Sequence, residues 1–135
     1  MRTGQRDLFT KRVRRAPAAP EFLFHVMIAD VLARWAAPGW LHTHLPMGEQ
    51  RTPATAGRLK RMGVKPGWPD FILLSPNGLA HFLELKRKGG KLSEHQTEFA
   101  HWCLEHRCPF ACVHDFDAAL GQLKAWGAVR VRLAG

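Results

Sequence analysis

Asp70, Glu84 and Lys86 are the residues whose types and spacing best suit chemistry, and a short hairpin is what would bring them together. Two runs of strand-forming, mostly apolar residues, Asp70 to Ser75 and Leu79 to Lys86, flank Pro76-Asn77-Gly78. A three-residue hairpin loop usually ends in a residue with positive φ, which glycine supplies at no steric cost, and proline and asparagine suit the positions before it. Pairing Ser75 with Leu79 and counting back along both strands sets Phe82 opposite Ile72 and Glu84 opposite Asp70. Directly opposed residues have Cβ atoms about 4.5–5.5 Å apart, so two carboxylates would face each other. That pairing is repulsive unless a cation lies between them. Lys86 follows Glu84 by two residues and shares its face by the period-two alternation of a strand. The set suits a divalent cation held by hard oxygen ligands beside a positive group. Taken singly, Glu-x-Lys is a common accident, Lys86-Arg87-Lys88 an ordinary solvated strand end, and Pro-Asp an ordinary strand start. The turn, register and alternation agree independently, although a one-residue slip would send one carboxylate to the other face.

The surrounding elements must hold this hairpin. Pro20 can occupy the first turn of a helix, and no breaker interrupts the run to Trp35 before Pro38-Gly39, which gives a helix from Pro20 to about Ala36. Its apolar residues run nearly all round, more than one face against a sheet requires. Burial between a sheet and a second subunit accounts for the excess. Glu21 falls in the first turn, where a carboxylate favours the helix dipole. Trp40 to Leu45 alternates as a first strand, with His42-x-His44 on one face. That spacing is compatible with a transition metal such as zinc, without a clear third ligand. Thr52-Pro53 reads as the N-cap and first residue of a second helix, which Gly63 stops. Arg51, Arg58, Lys60, Arg61 and Lys65 surround it and could form the basic wall of a phosphate-tracking groove, with some pointing only to water.

After the hairpin, Gly89-Gly90 provides a turn and Ser93-Glu94-His95-Gln96 opens another helix as a capping box, so Gln96 has an adequate structural job. Phe99, Trp102 and Cys103 form its apolar stripe. Pro109 to His114 reads as the fourth strand and Phe116 to Trp126 as a final helix. A short edge strand is expected at Val129-Arg130-Val131-Arg132. No internal repeat or glycine-rich phosphate loop is evident.

At 135 residues, the chain can bury its own core, with one domain expected over residues 20–135. Residues 1–19 carry Arg2, Arg6, Lys11, Arg12, Arg14 and Arg15 before an Ala/Pro run, and read as a mobile basic arm. Phosphate contacts and a solvated tail are both open readings of it. A net charge of +9 and a pI of about 10.4 favour a polyanionic partner. A membrane surface would also attract such a chain, but no apolar run is long enough to span a bilayer. His25, Asp30 and Arg34 interrupt the apolar run that follows the basic arm, which argues against a signal peptide. The odd number of cysteines, Cys103, Cys108 and Cys112, argues against a disulfide framework and for a reducing cytoplasm. With nearby histidines they resemble a metal cluster only loosely. Their positions in a helix, a loop and a strand favour packing.

Gly67-Trp68-Pro69-Asp70, Phe82-Leu83-Glu84-Leu85-Lys86-Arg87, Gly90-Lys91-Leu92-Ser93 and Gln96 are together similar to the VRR-NUC branch of the PD-(D/E)xK nuclease superfamily, over about Glu21 to Leu120. The resemblance implies an α/β fold with a restriction-endonuclease-like αβββαβ core, its mixed central sheet flanked by helices. It also implies metal-dependent cleavage of nucleic-acid phosphodiesters, with catalytic roles for Asp70, Glu84 and Lys86. One or two Mg²⁺ or Mn²⁺ ions would be held by Asp70, Glu84 and the Leu85 carbonyl, and a first-helix glutamate, here Glu21, can complete the shell directly or through water. The family pattern places a glutamine near the catalytic lysine, so Gln96 has catalytic support and capping as compatible roles. Arg87, Lys88 and Lys91 join the basic residues expected at DNA. Two departures bear on the groove: bulky Trp68 stands where a smaller residue is usual, and Pro46-Met47-Gly48 where related chains often read Pro-Asn-Gly.

A stand-alone chain of this size resembles homodimeric, structure-specific endonucleases that cut four-way DNA junctions. A nickase, flap or single-strand nuclease is the alternative within the class. A non-cleaving nucleic-acid-binding module of the same fold, and an assembly protein without catalysis, are the readings outside it. The intact Asp70, Glu84 and Lys86 set argues against the first, and the second explains the charge but not the hairpin. The expected partners are branched DNA and a second copy of the chain, with neither a membrane nor a small organic cofactor.

Overall fold

The computed structural model describes residues 20–46 and 51–130. The basic arm, Met47 and Gly48 of the Pro-Met-Gly segment, and Val131 and Arg132 lie outside the described residues. In chain order the elements are α1 (Pro20–Trp35), β1 (Leu41–His44), α2 (Pro53–Arg61), β2 (Phe71–Leu74), β3 (Ala80–Leu85), α3 (Glu94–Glu105), β4 (Phe110–Val113) and α4 (Phe116–Ala125). The strands form one sheet in the order β1-β2-β3-β4, antiparallel at the first two pairings and parallel between β3 and β4. This is the expected restriction-endonuclease-like αβββαβ core, with α2 inserted between β1 and β2 and α4 added at the end.

The hairpin forms as its turn chemistry dictates. Ser75 N–H donates to the Leu79 carbonyl at 3.0 Å, Gly78 N–H donates to the Ser75 carbonyl at 2.9 Å, and Gly78 takes φ 82°. Ile72 then pairs with Phe82 and Phe71 with Leu83, as the count from the turn requires. β3 is the inner strand of the parallel pairing, and every residue from His81 to Leu85 is buried. The parallel return to β4 needs a crossover, which α3 provides. Its start is fixed by the full Ser93/Gln96 capping box. Thr52 caps α2 through its hydroxyl, with Pro53 in the first turn, and no residue of α2 is buried.

Side-chain alternation divides the sheet into two faces. Phe71, Leu73, Leu83, Leu85 and Val113 pack with Ile28 and Leu32 of α1 and with Ala119 and Leu123 of α4. The opposite face meets α3 through aromatic rings: Phe99 lies 4.9 Å between centroids from both Phe82 and Trp68, and 6.2 Å from Phe110. Trp68 therefore has a packing job as well as a place on the surface. α1 is anchored by the fully buried Ile28 and Leu32. Burial of such side chains is worth about 1.5–3 kcal/mol each. Its other side is bare: Phe22, Leu23, Val26 and Met27 are 61%, 49%, 38% and 45% exposed.

The expected edge strand after α4 takes a different form. Val129 makes an isolated antiparallel bridge with Ala36, and Arg130 N–H donates to the Trp35 carbonyl. α4 packs beside α1, so the chain leaving α4 meets the end of α1 before it could reach a sheet edge. The three cysteines are free. Cys103 is fully buried and burial pushes its thiol up to about 12, while Cys108 Sγ donates to the Ala80 carbonyl. Among the described residues these cysteines join no group of three metal-ligating side chains, and no helix is long and apolar enough to cross a membrane.

Candidate active site

The approach to Asp70 is fixed by a glycine. Gly67 has φ 92°, and a Cβ there would lie 2.6 Å from the His95 carbonyl oxygen, so the chain passes the first turn of α3 only with no side chain at this position. Pro69 is fully buried next to it. The Asp70 carbonyl then accepts two hydrogen bonds, from Leu45 N–H at 2.6 Å and from His44 Nδ1 at 2.7 Å. Its side chain reaches across to β3, where Oδ2 accepts Leu85 N–H at 2.8 Å. Asp70 lies one residue before β2, and continuing the Phe71–Leu83 pairing by one step sets it beside Glu84, as the turn count expects.

Glu84 is 4% exposed. Lys86 Nζ lies 3.5 Å from Glu84 Oε1, and Gln96 Nε2 donates to the same oxygen in a long contact of 3.4 Å. The other end of the Gln96 amide, Oε1, accepts Ser93 N–H at 2.8 Å. One side chain thus makes both the capping contact and the contact to the buried carboxylate. Burial pushes the Glu84 carboxyl up to about 8, reinforced by the negative charge of Asp70 and a hydrogen bond with it, and opposed by the nearby Lys86 ammonium. Two close carboxylates, one of them buried, are a fitting donor set for a divalent ion, whose charge would offset their mutual repulsion.

An open cleft of about 730 Å³ lies over these groups. α1 provides one wall with Glu21, Phe22 and His25, and Trp68 and Gln96 border it on the side of α3. Lys86, Arg87 and Lys91 line it, giving it a basic floor and lip, and Lys88 is exposed beside them. The basic residues around α2 do not line it. Arg58, Lys60, Arg61 and Lys65 are exposed elsewhere, and Arg51 donates to the Pro46 carbonyl. Glu21 lies at the rim, mostly exposed, with Oε1 4.0 Å from Arg87 Nε.

His25, one turn further along α1 than Glu21, approaches Asp70, with 3.8 Å between Nε2 and Oδ1. Its ring meets that of His44 edge-on at 5.2 Å between centroids. His42, the expected companion of His44, stays exposed. The sequence did carry a signal for His25: it falls with Phe24, Ile28 and Leu32 on the buried stripe of α1, where an imidazole needs a polar partner.

A mixed four-stranded sheet with paired carboxylates and a lysine at the end of its central hairpin, walled by the first helix, is the arrangement of a PD-(D/E)xK-type nuclease. The VRR-NUC domain family matches residues 33–116, more than half of the chain, and the chain belongs to that family. Membership implies nuclease action on DNA with divalent metal ions. The matched span includes Asp70, Glu84, Lys86 and Gln96, while Glu21 and His25 precede it. Comparison with curated proteins and with solved structures found no match.

Proposed function

We propose that the protein is a structure-specific DNA endonuclease that hydrolyses phosphodiester bonds with Mg²⁺ or Mn²⁺ and cuts four-way junctions as a homodimer. The observation that carries the reading is the convergence of Asp70, buried Glu84 and Lys86 in one basic cleft. Asp70, Glu84 and the Leu85 carbonyl are the groups assigned to the metal, with Glu21 at the rim as a further ligand through water. A bound divalent ion would supply neutralisation of the scissile phosphate and a water acidic enough to ionise near neutral pH. Gln96 holds the Glu84 carboxylate in orientation, and the cap at Ser93 holds Gln96. Lys86 presents its ammonium to the phosphate beside Glu84, where it steadies the charge that develops in the transition state and orients the attacking water. Arg87, Lys88 and Lys91 bind the flanking phosphates; Arg51, Arg58, Lys60, Arg61 and Lys65 extend the basic track further from the cleft. Specificity for a branched duplex rests on two such clefts in fixed relation, and the bare apolar side of α1 supports α1 as the dimer contact.

The test is cleavage of single-stranded, duplex, flap and four-way-junction DNA by the purified protein with Mg²⁺, Mn²⁺ or EDTA. Metal-dependent, paired incision of the junction is expected. Preferential cutting of flaps or single strands would replace the junction assignment, and tight DNA binding without cutting under any metal would make the protein a binding module.

A further inference from the structure

Asp70 presents its two carboxylate oxygens to different surroundings. Oδ2 is engaged by Leu85 N–H on the side of β3, while Oδ1 faces His25 Nε2 at 3.8 Å on the side of α1. That separation is too long for a direct hydrogen bond and short enough for one atom to bridge. His44 completes the group. A carbonyl can only accept, so the hydrogen bond to the Asp70 carbonyl puts the ring proton on Nδ1 and leaves Nε2 with a free lone pair. Ligand atoms of His25, His44 and Asp70 lie within 4.8 Å of one another, and all three residues are half-buried. Tetrahedral ligands at about 2.0–2.1 Å from an ion are about 3.3 Å apart, so the group needs only small side-chain adjustments to close.

We propose that His25, His44 and Asp70 form a binding site for a first-row transition ion of the Zn²⁺ or Co²⁺ class, on the α1 side of Asp70. Two imidazole nitrogens and one carboxylate oxygen suit such ions, whereas Mg²⁺ favours oxygen ligands and retains its waters. The backbone hydrogen bond from His44 Nδ1 is the outer contact that fixes the tautomer and orientation of a ligating histidine. Asp70 then becomes a shared carboxylate with an oxygen-donor side toward Glu84 and a nitrogen-donor side toward α1. The use of this ion in cleavage rests on the nuclease reading above; its binding does not.

Tag-free, EDTA-stripped full-length protein titrated with Co²⁺ alone gives the test, read from the visible ligand-field bands and from heat of binding, with Zn²⁺ added afterwards in competition. One Co²⁺ per chain with a spectrum of nitrogen coordination is expected, displaced by Zn²⁺. His25→Ala and His44→Ala should each weaken binding at least tenfold, and His42→Ala, which removes the exposed neighbouring imidazole, should leave it unchanged. His25→Asn and His44→Gln serve where an alanine variant fails to fold by circular dichroism. Unaltered Co²⁺ binding in folded His25 and His44 variants, or a wild-type spectrum lost in His42→Ala, overturns the proposal. Parallel cleavage assays in Mg²⁺ and in Mn²⁺ keep the outcomes apart: absence of cutting with either metal sinks the nuclease reading whatever the Co²⁺ titration gives, and histidine-independent Co²⁺ binding sinks this site even when one of them supports cutting.

Discussion

Lys86 and Glu84 are 3.5 Å apart, yet the two side chains fail differently when removed. Lys86→Ala takes away a cation from the cleft and leaves the fold its core, so cleavage should fall about 10²–10³-fold, the usual cost of losing one stabilising donor to transition-state charge, while the melting temperature and most DNA affinity persist. Full activity in a folded Lys86→Ala protein would remove the site assignment. Glu84 instead couples to pH. Its native value of about 8 exceeds the ordinary 4.5, so between these values the folded chain binds a proton that the unfolded chain has released. Stability of the metal-free protein must then decline as pH rises through that window, and the whole loss is present above about pH 8. Glu84→Gln has no such proton to lose. Melting curves in EDTA from pH 4.5 to 9 should show the variant gaining on wild type as pH rises, and parallel curves would contradict the buried carboxyl. Gln96 separates by comparison with its neighbour: Ser93→Ala and Gln96→Ala both damage the cap, at about 0.5–2 kcal/mol, but only the second frees Glu84. Cleavage at a temperature where both are folded should drop further in Gln96→Ala.

Secondary elements set what the sequence could disclose. The β2–β3 register was legible because Pro76-Asn77-Gly78 fixes the turn and period-two alternation fixes the faces, both local properties. The caps at Thr52 and Ser93 were legible for the same reason. His25 beside Asp70 was not, because its position depends on the height and rotation of α1 against the sheet, which Ile28 and Leu32 decide through contacts distant in sequence. The Val129 bridge to Ala36 escaped similarly: a Val-Arg alternation suggests a strand but cannot name its partner. Gly67 gives the sharpest test of how elements position the site. Gly67→Ala must hold a left-handed residue, costing about 1–2 kcal/mol, and also push its Cβ against the His95 backbone. With about 1–3 kcal/mol more for the crowding, a total destabilisation of about 2–5 kcal/mol is expected in denaturant titrations. Cleavage should fall in whatever fraction remains folded, since Asp70 follows three residues later. A variant as stable as wild type would mean that the chain has another route past α3.

For the whole molecule, charge and apolar surface pull against each other. A net charge of +9 opposes self-association, whereas Leu23 and Met27, exposed on α1 and outside the lining of the cleft, offer an apolar contact for it. Dimers are expected in solution or once junction DNA neutralises the repulsion, with symmetric nicks on opposing arms. Met27→Glu should abolish pairing and leave single nicks; sedimentation with strand-resolved product mapping would refute the arrangement by finding a monomer that makes both cuts. Deleting residues 1–15 removes Arg2, Arg6, Lys11, Arg12, Arg14 and Arg15. Affinity should fall for every DNA shape, and the slope of log affinity against log salt should flatten by about 0.9 for each lost duplex-phosphate contact; a loss confined to one shape would contradict this. The hairpin that joins Asp70 to Leu85 also sets the order in which the cleft assembles. It closes over a short loop, while the walls of the cleft wait for α1 to dock from the far end of the chain, and long-range closures are the slow ones. The carboxylates therefore meet in open water first and lose their solvent only when α1 and α3 have both closed around them, so the final ordering of the chain is the moment at which it must take up a proton or an ion. Refolding followed by stopped-flow fluorescence should show a late phase that quickens with added Mg²⁺ and becomes indifferent to it in Glu84→Gln.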